Sequence, residues 1–201
     1  MKRKKVYIKN KKYSGLATSD SNSRKKKRRI LLEIILYFFE IVLVIGFAYA
    51  LVNYGFIRSS MVGDSMVGTL NNGDEVIINK LVYRMSSPKR NDIVAYSKNL
   101  GHGNISFKRV IGLPGEKVLI KEGKVFIDGE ELIEDIEVEP MKTGGLAEEE
   151  ITLEENEFFL LGDNRNKSED SRFSEIGTIV RKEIIGKVWI KLKPFGFVNN
   201  N

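Results

Sequence analysis

Apolar residues are distributed along this chain in two different ways, and the first is one long run. Residues 30–52 read ILLEIILYFFEIVLVIGFAYALV, which is almost wholly hydrophobic. As a helix that rises about 1.5 Å per residue, this run would be about 34 Å long. That length is enough to cross the hydrocarbon core of a bilayer. The run therefore predicts a single transmembrane helix.

After Asn53 the pattern changes to short runs rich in Val, Ile and Phe, separated by turn residues and without a period of 3.6. This pattern is typical of β-strands and predicts a mostly β fold. The dipeptides Glu122-Gly123 and Asp128-Gly129 predict tight hairpin turns. Residues 140–150, with two adjacent glycines and three consecutive glutamates, predict a mobile surface loop. The candidate strands are residues 75–80, 92–96, 106–111, 116–121, 124–128, 157–162, 178–180 and 184–192.

The net charge of +6 arises from the start of the chain. Residues 1–29 contain 13 Lys and Arg and one Asp, which leaves 20 Lys and Arg against 26 Asp and Glu elsewhere. The cluster RKKKRR at residues 24–29 lies directly before the apolar run. By the positive-inside rule it predicts a cytoplasmic N-terminus, with the β region beyond the membrane. A solvated tail and a nucleic-acid-binding arm are the alternatives.

Two features of the apolar run complicate its interpretation as an anchor. Glu40 lies near its middle, where an acidic residue costs about 2 to 3 kcal/mol on insertion scales. Glu40 is either protonated or paired with a polar group there. Ala48-Tyr49-Ala50 has the small-x-small form of a processing site, so a cleaved signal peptide is the alternative. Because the run is longer than the usual apolar region of such a peptide, about 7 to 15 residues, we favour a permanent anchor.

Composition excludes several kinds of site. Without cysteine the chain has no disulfides, zinc thiolates or cysteine nucleophile. With His102 as its single histidine, it has no multi-histidine metal site. The stretch GDNRNKSEDSR at residues 162–172 departs from the calcium-loop pattern, because Arg165 and Ser168 stand where a ligand and a turn glycine are needed. We therefore expect neither a metal nor another cofactor.

Ser65, in MVGDSMVGTL at residues 61–70, is a candidate nucleophile that needs a base. His102 lies between two glycines in a polar stretch, which favours a solvated histidine. A neutral lysine is the other base that proteins pair with serine. Lys108 lies within the apolar strand pattern ISFKRVIGLP, where burial would lower its pKa. A strand lysine that points into solvent is the alternative.

From the apolar run to about Leu192 the chain resembles a bacterial type I signal peptidase of the single-anchor kind. The resemblance is specific because several blocks occur in the order that the family has. These blocks are GDSMVGTL (63–70), GDEVIINKLVY (73–83), PKRNDIVAY (88–96), FKRVIGLPGEKV (107–118) and GDNRNKSEDSR (162–172).

The resemblance implies a serine endopeptidase that removes signal peptides through an acyl-enzyme. Ser65 would be the nucleophile, Lys108 the general base and Ser168 the residue that orients the lysine amine. Gly63 stands where some members carry a second serine that helps to bind the oxyanion, so the backbone N–H of Ser65 would have to do more. Gly68 replaces the family's usual proline, which should loosen this turn.

The remaining implied site residues fall into two groups. The first would form the ion pairs that hold the loop at residues 162–172, and it consists of Asp163, Arg165, Asp170 and Arg172. The second would line shallow pockets for small substrate residues, and it consists of Met61, Met66, Leu70 and Phe107. Ordinary core packing is the alternative for the second group.

The resemblance also implies an organisation of the chain. Its parts would be a cytoplasmic basic tail (1–29), a transmembrane helix (30–52), a β catalytic core (53–112 and 158–195), a small β insertion (113–157) and a C-terminal tail (196–201). Expected partners are the signal peptides of exported precursors, the lipid bilayer and the secretion machinery, with no nucleic acid. The protein would be a single-pass protein of the cell membrane with its catalytic domain outside.

Two other functions remain open at this level. A self-cleaving repressor uses similar Ser-Lys chemistry but would need an N-terminal DNA-binding domain in place of the anchor. A non-catalytic, membrane-anchored β scaffold would leave Ser65 and Lys108 with structural roles only.

Overall fold

The structure, a computed structural model, describes residues 11–98, 105–193 and 195–198, with side chains from residue 23 onward. It divides into two compact units that adjoin in sequence at Leu51 and Val52. Helix α1 runs over Lys11–Gly55, so its last turn belongs to the second unit, and it begins well before the predicted start at residue 30. Lysine and arginine are good helix formers, which accounts for the extension over residues 24–29.

Within α1, Ser23–Gly55 is the one helix of the described residues that is long and apolar enough to cross a membrane. Its large apolar side chains are exposed, with Phe38 at 68%. Exposure of this kind is expected where lipid rather than protein covers a helix.

The second unit is mostly β, as predicted. Its larger sheet has eight antiparallel strands in the order β1-β2-β11-β3-β4-β9-β10, with β12 paired to β11. A short helix, α2, covers Val82–Met85. The strands are β1 (Phe56–Ser60), β2 (Glu75–Asn79), β3 (Ile93–Tyr96), β4 (Ser106–Gly112), β9 (Glu157–Leu161), β10 (Ile179–Val180), β11 (Ile184–Lys193) and β12 (Phe195–Phe197).

A separate four-stranded sheet is inserted between β4 and β9. Its order is β7-β6-β5-β8, where the strands are β5 (Lys117–Lys121), β6 (Lys124–Ile127), β7 (Glu130–Glu131) and β8 (Ile151–Thr152). The residues of both predicted hairpin turns have positive φ, which confirms these turns. This inserted sheet shares a core with the larger sheet, because Val118 and Leu153 pack in one cluster with Ile111 and Phe159.

Two sequence-based expectations of the fold were wrong, and strand β1 was not predicted. Residues 140–150 are not a loop devoid of structure: Gly145–Glu148 form a 3₁₀ turn, and Met141 and Ala147 are buried in the core beneath the inserted sheet. Residues 196–198 are not part of a tail, because Phe195–Phe197 pair with β11 and Val198 is buried. Strand β1 was missed because FIRSS carries little of the expected apolar alternation.

Candidate active site

Ser65 lies on a tight turn that follows β1. The turn is closed by backbone hydrogen bonds from Val67 to Asp64 (3.2 Å) and from Leu70 to Met66 (2.7 Å). Met66 and Leu70 are fully buried and anchor the turn in the core, whereas Ser65 is half-buried. The turn therefore presents the serine hydroxyl from a rigid base.

Glycines flank this turn on both sides. Gly63 has φ of +86° and Gly68 has φ of +104°, in the left-handed region that favours glycine. A proline at position 68 would be incompatible with that backbone, because its ring fixes φ near −65°. The departure from the family pattern at Gly68 thus reflects a different turn geometry. The N–H of Gly63 donates to Asn72 Oδ1 at 3.1 Å, which ties the turn to the segment before β2.

Lys108 lies in the middle of β4, and its side chain is directed at Ser65. Its Nζ atom is 2.9 Å from Ser65 Oγ, within hydrogen-bond distance. Lys108 is only 5% exposed, because β4 is covered on both faces and Val94 of β3 pairs opposite it. Burial lowers the pKa of the Lys108 amine from its ordinary value of 10.5, while the carboxylates of Asp170, Glu169 and Asp163 act in the opposite direction.

A cleft of about 570 Å³ runs past both residues, between the β1 end of the sheet and β4. Met61 and Phe107 line it as expected for substrate-binding residues. Met66 and Leu70 do not: they lie in the core below the turn. The other lining residues are Ser59, Ser60, Val62, Ser65, Ile105, Ser106 and Lys108, of which only Ser65 and Lys108 were predicted as site residues.

The polar loop at residues 162–172 packs against the Ser65 turn. Asn164 donates its backbone N–H to Ser65 O at 3.1 Å and its side-chain amide to Asp64 O at 3.0 Å. Ser168 is 5% exposed, and its Oγ has no hydrogen-bond partner among the described residues. The expected hydrogen bond between Ser168 and Lys108 is therefore absent from this structure.

Ion pairs hold this loop, but only one of them joins two residues of the loop. The other two join the loop to residues elsewhere in the β unit. Asp170 and Arg172 are paired as expected, at 2.8 Å, and both are buried. Asp163 pairs instead with Arg109, the residue after Lys108, through two contacts of 2.8 Å. Arg165 pairs outside the loop with Glu134, which lies between β7 and β8.

Sequence reasoning missed three residues that join the parts of the site. Thr69 Oγ1 donates to Asp163 Oδ2 at 2.5 Å and thereby links the Ser65 turn to the loop. Arg109 links the same carboxylate to β4, and Glu134 links the loop to the segment between β7 and β8. Arg109 follows Lys108 directly within a recognised block, which was the available signal. Glu134 lies in an acidic stretch that gives no such signal. His102 lies outside the described residues.

Comparison with known proteins gives one consistent result. The family described as "Signal peptidase, peptidase S26" matches residues 31–192. A probable signal peptidase I-2 of Synechocystis sp. is 31% identical over 160 residues, which cover 77% of this chain and 69% of the relative. A signal peptidase I of Bacillus caldolyticus is 34% identical over 145 residues, covering 66% of this chain and 77% of the relative. A solved signal peptidase I of Enterococcus faecalis V583 is 31% identical and aligns with a TM-score of 0.42 over 51% of this chain and 97% of its own.

Proposed function

Because this chain belongs to the signal peptidase family, peptidase S26, we propose that it removes signal peptides from exported precursor proteins, with Ser65 as nucleophile and Lys108 as general base. The observation that supports this assignment best is the distance of 2.9 Å between Lys108 Nζ and Ser65 Oγ, at a lysine that is 5% exposed. Burial lowers the pKa of the Lys108 amine and so favours the neutral form that a base needs.

The proposed reaction begins when the neutral Lys108 amine accepts the proton of Ser65 Oγ. The oxygen attacks the scissile carbonyl, and the tetrahedral intermediate collapses as Lys108 returns the proton to the leaving amine. A water molecule, deprotonated by the same amine, then hydrolyses the acyl-enzyme. The backbone N–H of Ser65 is the proposed oxyanion donor, and it makes no hydrogen bond within the part of the chain that the structure describes.

We assign supporting roles to the residues around this pair. Ser168 lies against the turn, with its buried hydroxyl free to orient the amine when Lys108 changes its protonation state. Asp170 and Arg172 hold the loop on which Ser168 lies. Asp163 fastens the loop to β4, Arg165 fastens it to the segment between β7 and β8, and Gly63 supplies the turn backbone.

The precursor is proposed to bind in the cleft as an extended segment. Met61 and Phe107 offer apolar walls there, and Ser59 and Ser60 belong to β1, which pairs on one side only and can accept a further strand. Shallow apolar walls fit small residues before the cut.

Membrane association follows from the apolar helix, and its orientation is part of the proposal. The basic cluster at residues 24–29 precedes the span, which supports a cytoplasmic N-terminus and a catalytic domain on the outer side. The partners that we propose are the bilayer, exported precursors and the secretion machinery that delivers them.

The function is tested by incubating the detergent-solubilised protein with a precursor and determining the cut by mass spectrometry. We expect one cleavage after a small residue at the end of the signal peptide, and none with Ser65→Ala. Cleavage that persists in Ser65→Ala would refute the assignment, and an uncut precursor would favour the non-catalytic scaffold.

A further inference from the structure

The part of the insertion that lies between β7 and β8 contacts the loop at residues 162–172. Asn166 accepts the backbone N–H of Lys142 at 3.0 Å and donates its side-chain amide to Pro140 O at 3.1 Å. Leu146 donates its backbone N–H to Arg172 O at 2.8 Å. The loop that lies against Ser65 is thus fastened to a part of the molecule that does not line the cleft.

One contact between the loop and the insertion is a buried ion pair, formed by Arg165 and Glu134. Arg165 NH1 donates to Glu134 Oε1 at 2.7 Å, and Arg165 NH2 donates to the other oxygen of the same carboxylate. The two side chains are only 1% and 10% exposed. A bidentate pair of this type fixes both the distance and the plane of the guanidinium.

The insertion is rich in carboxylates, and Glu134 differs from the others in its partner. Residues 113–157 contain 15 Asp and Glu and only 4 Lys. Other carboxylates there pair at the surface: the Lys117–Glu150 and Lys124–Glu131 pairs have side chains about half exposed. Glu134 is the carboxylate of this segment that meets a buried arginine.

Arg165 is connected by hydrogen bonds to residues that pack near Ser65 and Ser168. Its Nε donates to Gly162 O at 3.1 Å, and its own carbonyl accepts from Arg172 NH2 at 2.5 Å. Gly162 packs so closely that a Cβ added to it would lie 2.2 Å from Ser168 Oγ and 2.5 Å from Ser65 O. Arg165 is thus hydrogen-bonded to a residue that packs directly against Ser65 and Ser168.

We propose that Glu134 is a positioning residue for cleavage: through Arg165 it holds the loop at residues 162–172 against the Ser65 turn, so that the insertion maintains the geometry of the Ser65–Lys108 pair. This inference rests on the function proposed above and adds the insertion to the machinery that prepares the pair. Glu134 itself touches neither the cleft nor Lys108.

The expected signature is a change in the pH profile as well as in rate. The carboxylates that act on Lys108 are Asp170, Glu169 and Asp163, and two of them already pair with Arg172 and Arg109. Burial is the larger influence, so a loosened loop that admits water should raise the pKa of Lys108. Mere removal of a distant negative charge would instead lower that pKa. The direction in which the pKa of Lys108 shifts therefore distinguishes a positioning role of Glu134 from the electrostatic effect of removing its charge.

The test compares Glu134→Gln with Glu131→Gln in the full-length, detergent-solubilised enzyme. Both substitutions remove one carboxylate from the insertion, but Glu131 pairs at the surface with Lys124. For Glu134→Gln we expect kcat on a precursor peptide to fall 10- to 100-fold, on the order expected for a misplaced reacting group, with KM within about threefold of wild type. The acid limb of kcat/KM should move to higher pH. Glu131→Gln should change none of these quantities.

Three results would overturn the inference. They are an unchanged kcat and pH profile in a folded Glu134→Gln enzyme, a lower rate with an unmoved acid limb, and a raised KM with unchanged kcat. If Glu134→Gln does not fold, Glu134→Asp is measured instead: it keeps the charge but shortens the reach, and it should shift the acid limb in the same direction by less. Failure of the wild type to cleave would refute the proposed function, whereas an active wild type with a dead Ser65→Ala variant and a normal Glu134→Gln variant refutes this inference alone.

Discussion

Lys108 can be tested as a base separately from its positive charge. Lys108→Arg keeps the charge and most of the aliphatic stem, but a guanidinium does not deprotonate in proteins and cannot accept the proton of Ser65. We expect the folded variant to lose at least about 1000-fold in kcat, as is typical when one member of a catalytic pair is removed. Cleavage of a precursor peptide measures this loss.

Two control variants accompany this experiment. Lys117→Arg makes the same exchange at a lysine whose side chain is 53% exposed and should leave the rate unchanged. His102→Ala should stay within a few-fold of wild type, because the sequence places His102 in a solvated stretch. A Lys108→Arg enzyme of nearly normal rate, or a dead His102→Ala enzyme, would mean that the wrong base has been assigned.

The pH dependence of the wild type follows from the buried amine. Protonated Lys108 cannot act as a base, so kcat/KM should rise with pH through the pKa of Lys108 in the free enzyme. Burial lowers this pKa from its ordinary value of 10.5, and the acid limb should therefore have its midpoint below that value. Initial rates on a peptide across the pH range give the midpoint. A limb centred at the ordinary value of an exposed lysine would contradict the burial.

At Gly162, the absence of a Cβ atom allows the loop at residues 162–172 to pack against the Ser65 turn. Gly162→Ala would place a Cβ 2.2 Å from Ser168 Oγ and 2.5 Å from Ser65 O, so the loop and the turn would have to separate. We expect kcat to fall on the order of 100-fold and the free energy of unfolding to fall by about 1 to 3 kcal/mol. In the matched control, Gly196→Ala, the added Cβ meets nothing within 4 Å. Equal activity of the two variants would show that the site tolerates the separation.

Among the strands, β12 shows how a short C-terminal element contributes to the core. Phe195–Phe197 pair with β11, and the following Val198 is 8% exposed and donates its N–H to Trp189 O at 3.1 Å. Val198→Ala should lower the free energy of unfolding by about 1 to 2 kcal/mol, because it removes buried apolar surface and leaves a small cavity.

Thermal or denaturant unfolding of the full chain in detergent checks this effect. The control is Ile133→Ala, since Ile133 is 86% exposed and its truncation should change stability by no more than about 0.5 kcal/mol. If both variants unfold like the wild type, residues 195–198 do not belong to the cooperative core.

For the whole molecule, the decisive prediction concerns its orientation in the membrane. The basic cluster at residues 24–29 and the span at Ser23–Gly55 favour a β unit on the outer side. Protease added to intact protoplasts should therefore degrade the β unit and spare an N-terminal epitope, whereas lysis with detergent should expose both. A β unit protected in intact protoplasts would reverse the proposed topology.

The sequence by itself determined the broad architecture. An uninterrupted apolar run, then short β-branched runs with Glu-Gly and Asp-Gly turns, are local signals, and local signals predict element type well. Strand β4 and both hairpin turns of the inserted sheet were found in this way. Ser65 and Lys108 were likewise predicted as nucleophile and base from the residues and the family resemblance, because ordered blocks survive in the linear sequence.

The tertiary structure alone decided which of these residues meet. Whether a strand lysine is buried depends on what covers the second face of β4, and that cover comes from distant segments. The partner of Arg165 is Glu134, 31 positions away, and the partner of Asp163 is Arg109, 54 positions away. Met66 and Leu70 belong to the core rather than to the cleft for the same reason: hydrophobicity in the sequence shows that a side chain avoids water, while only the packing shows what covers it.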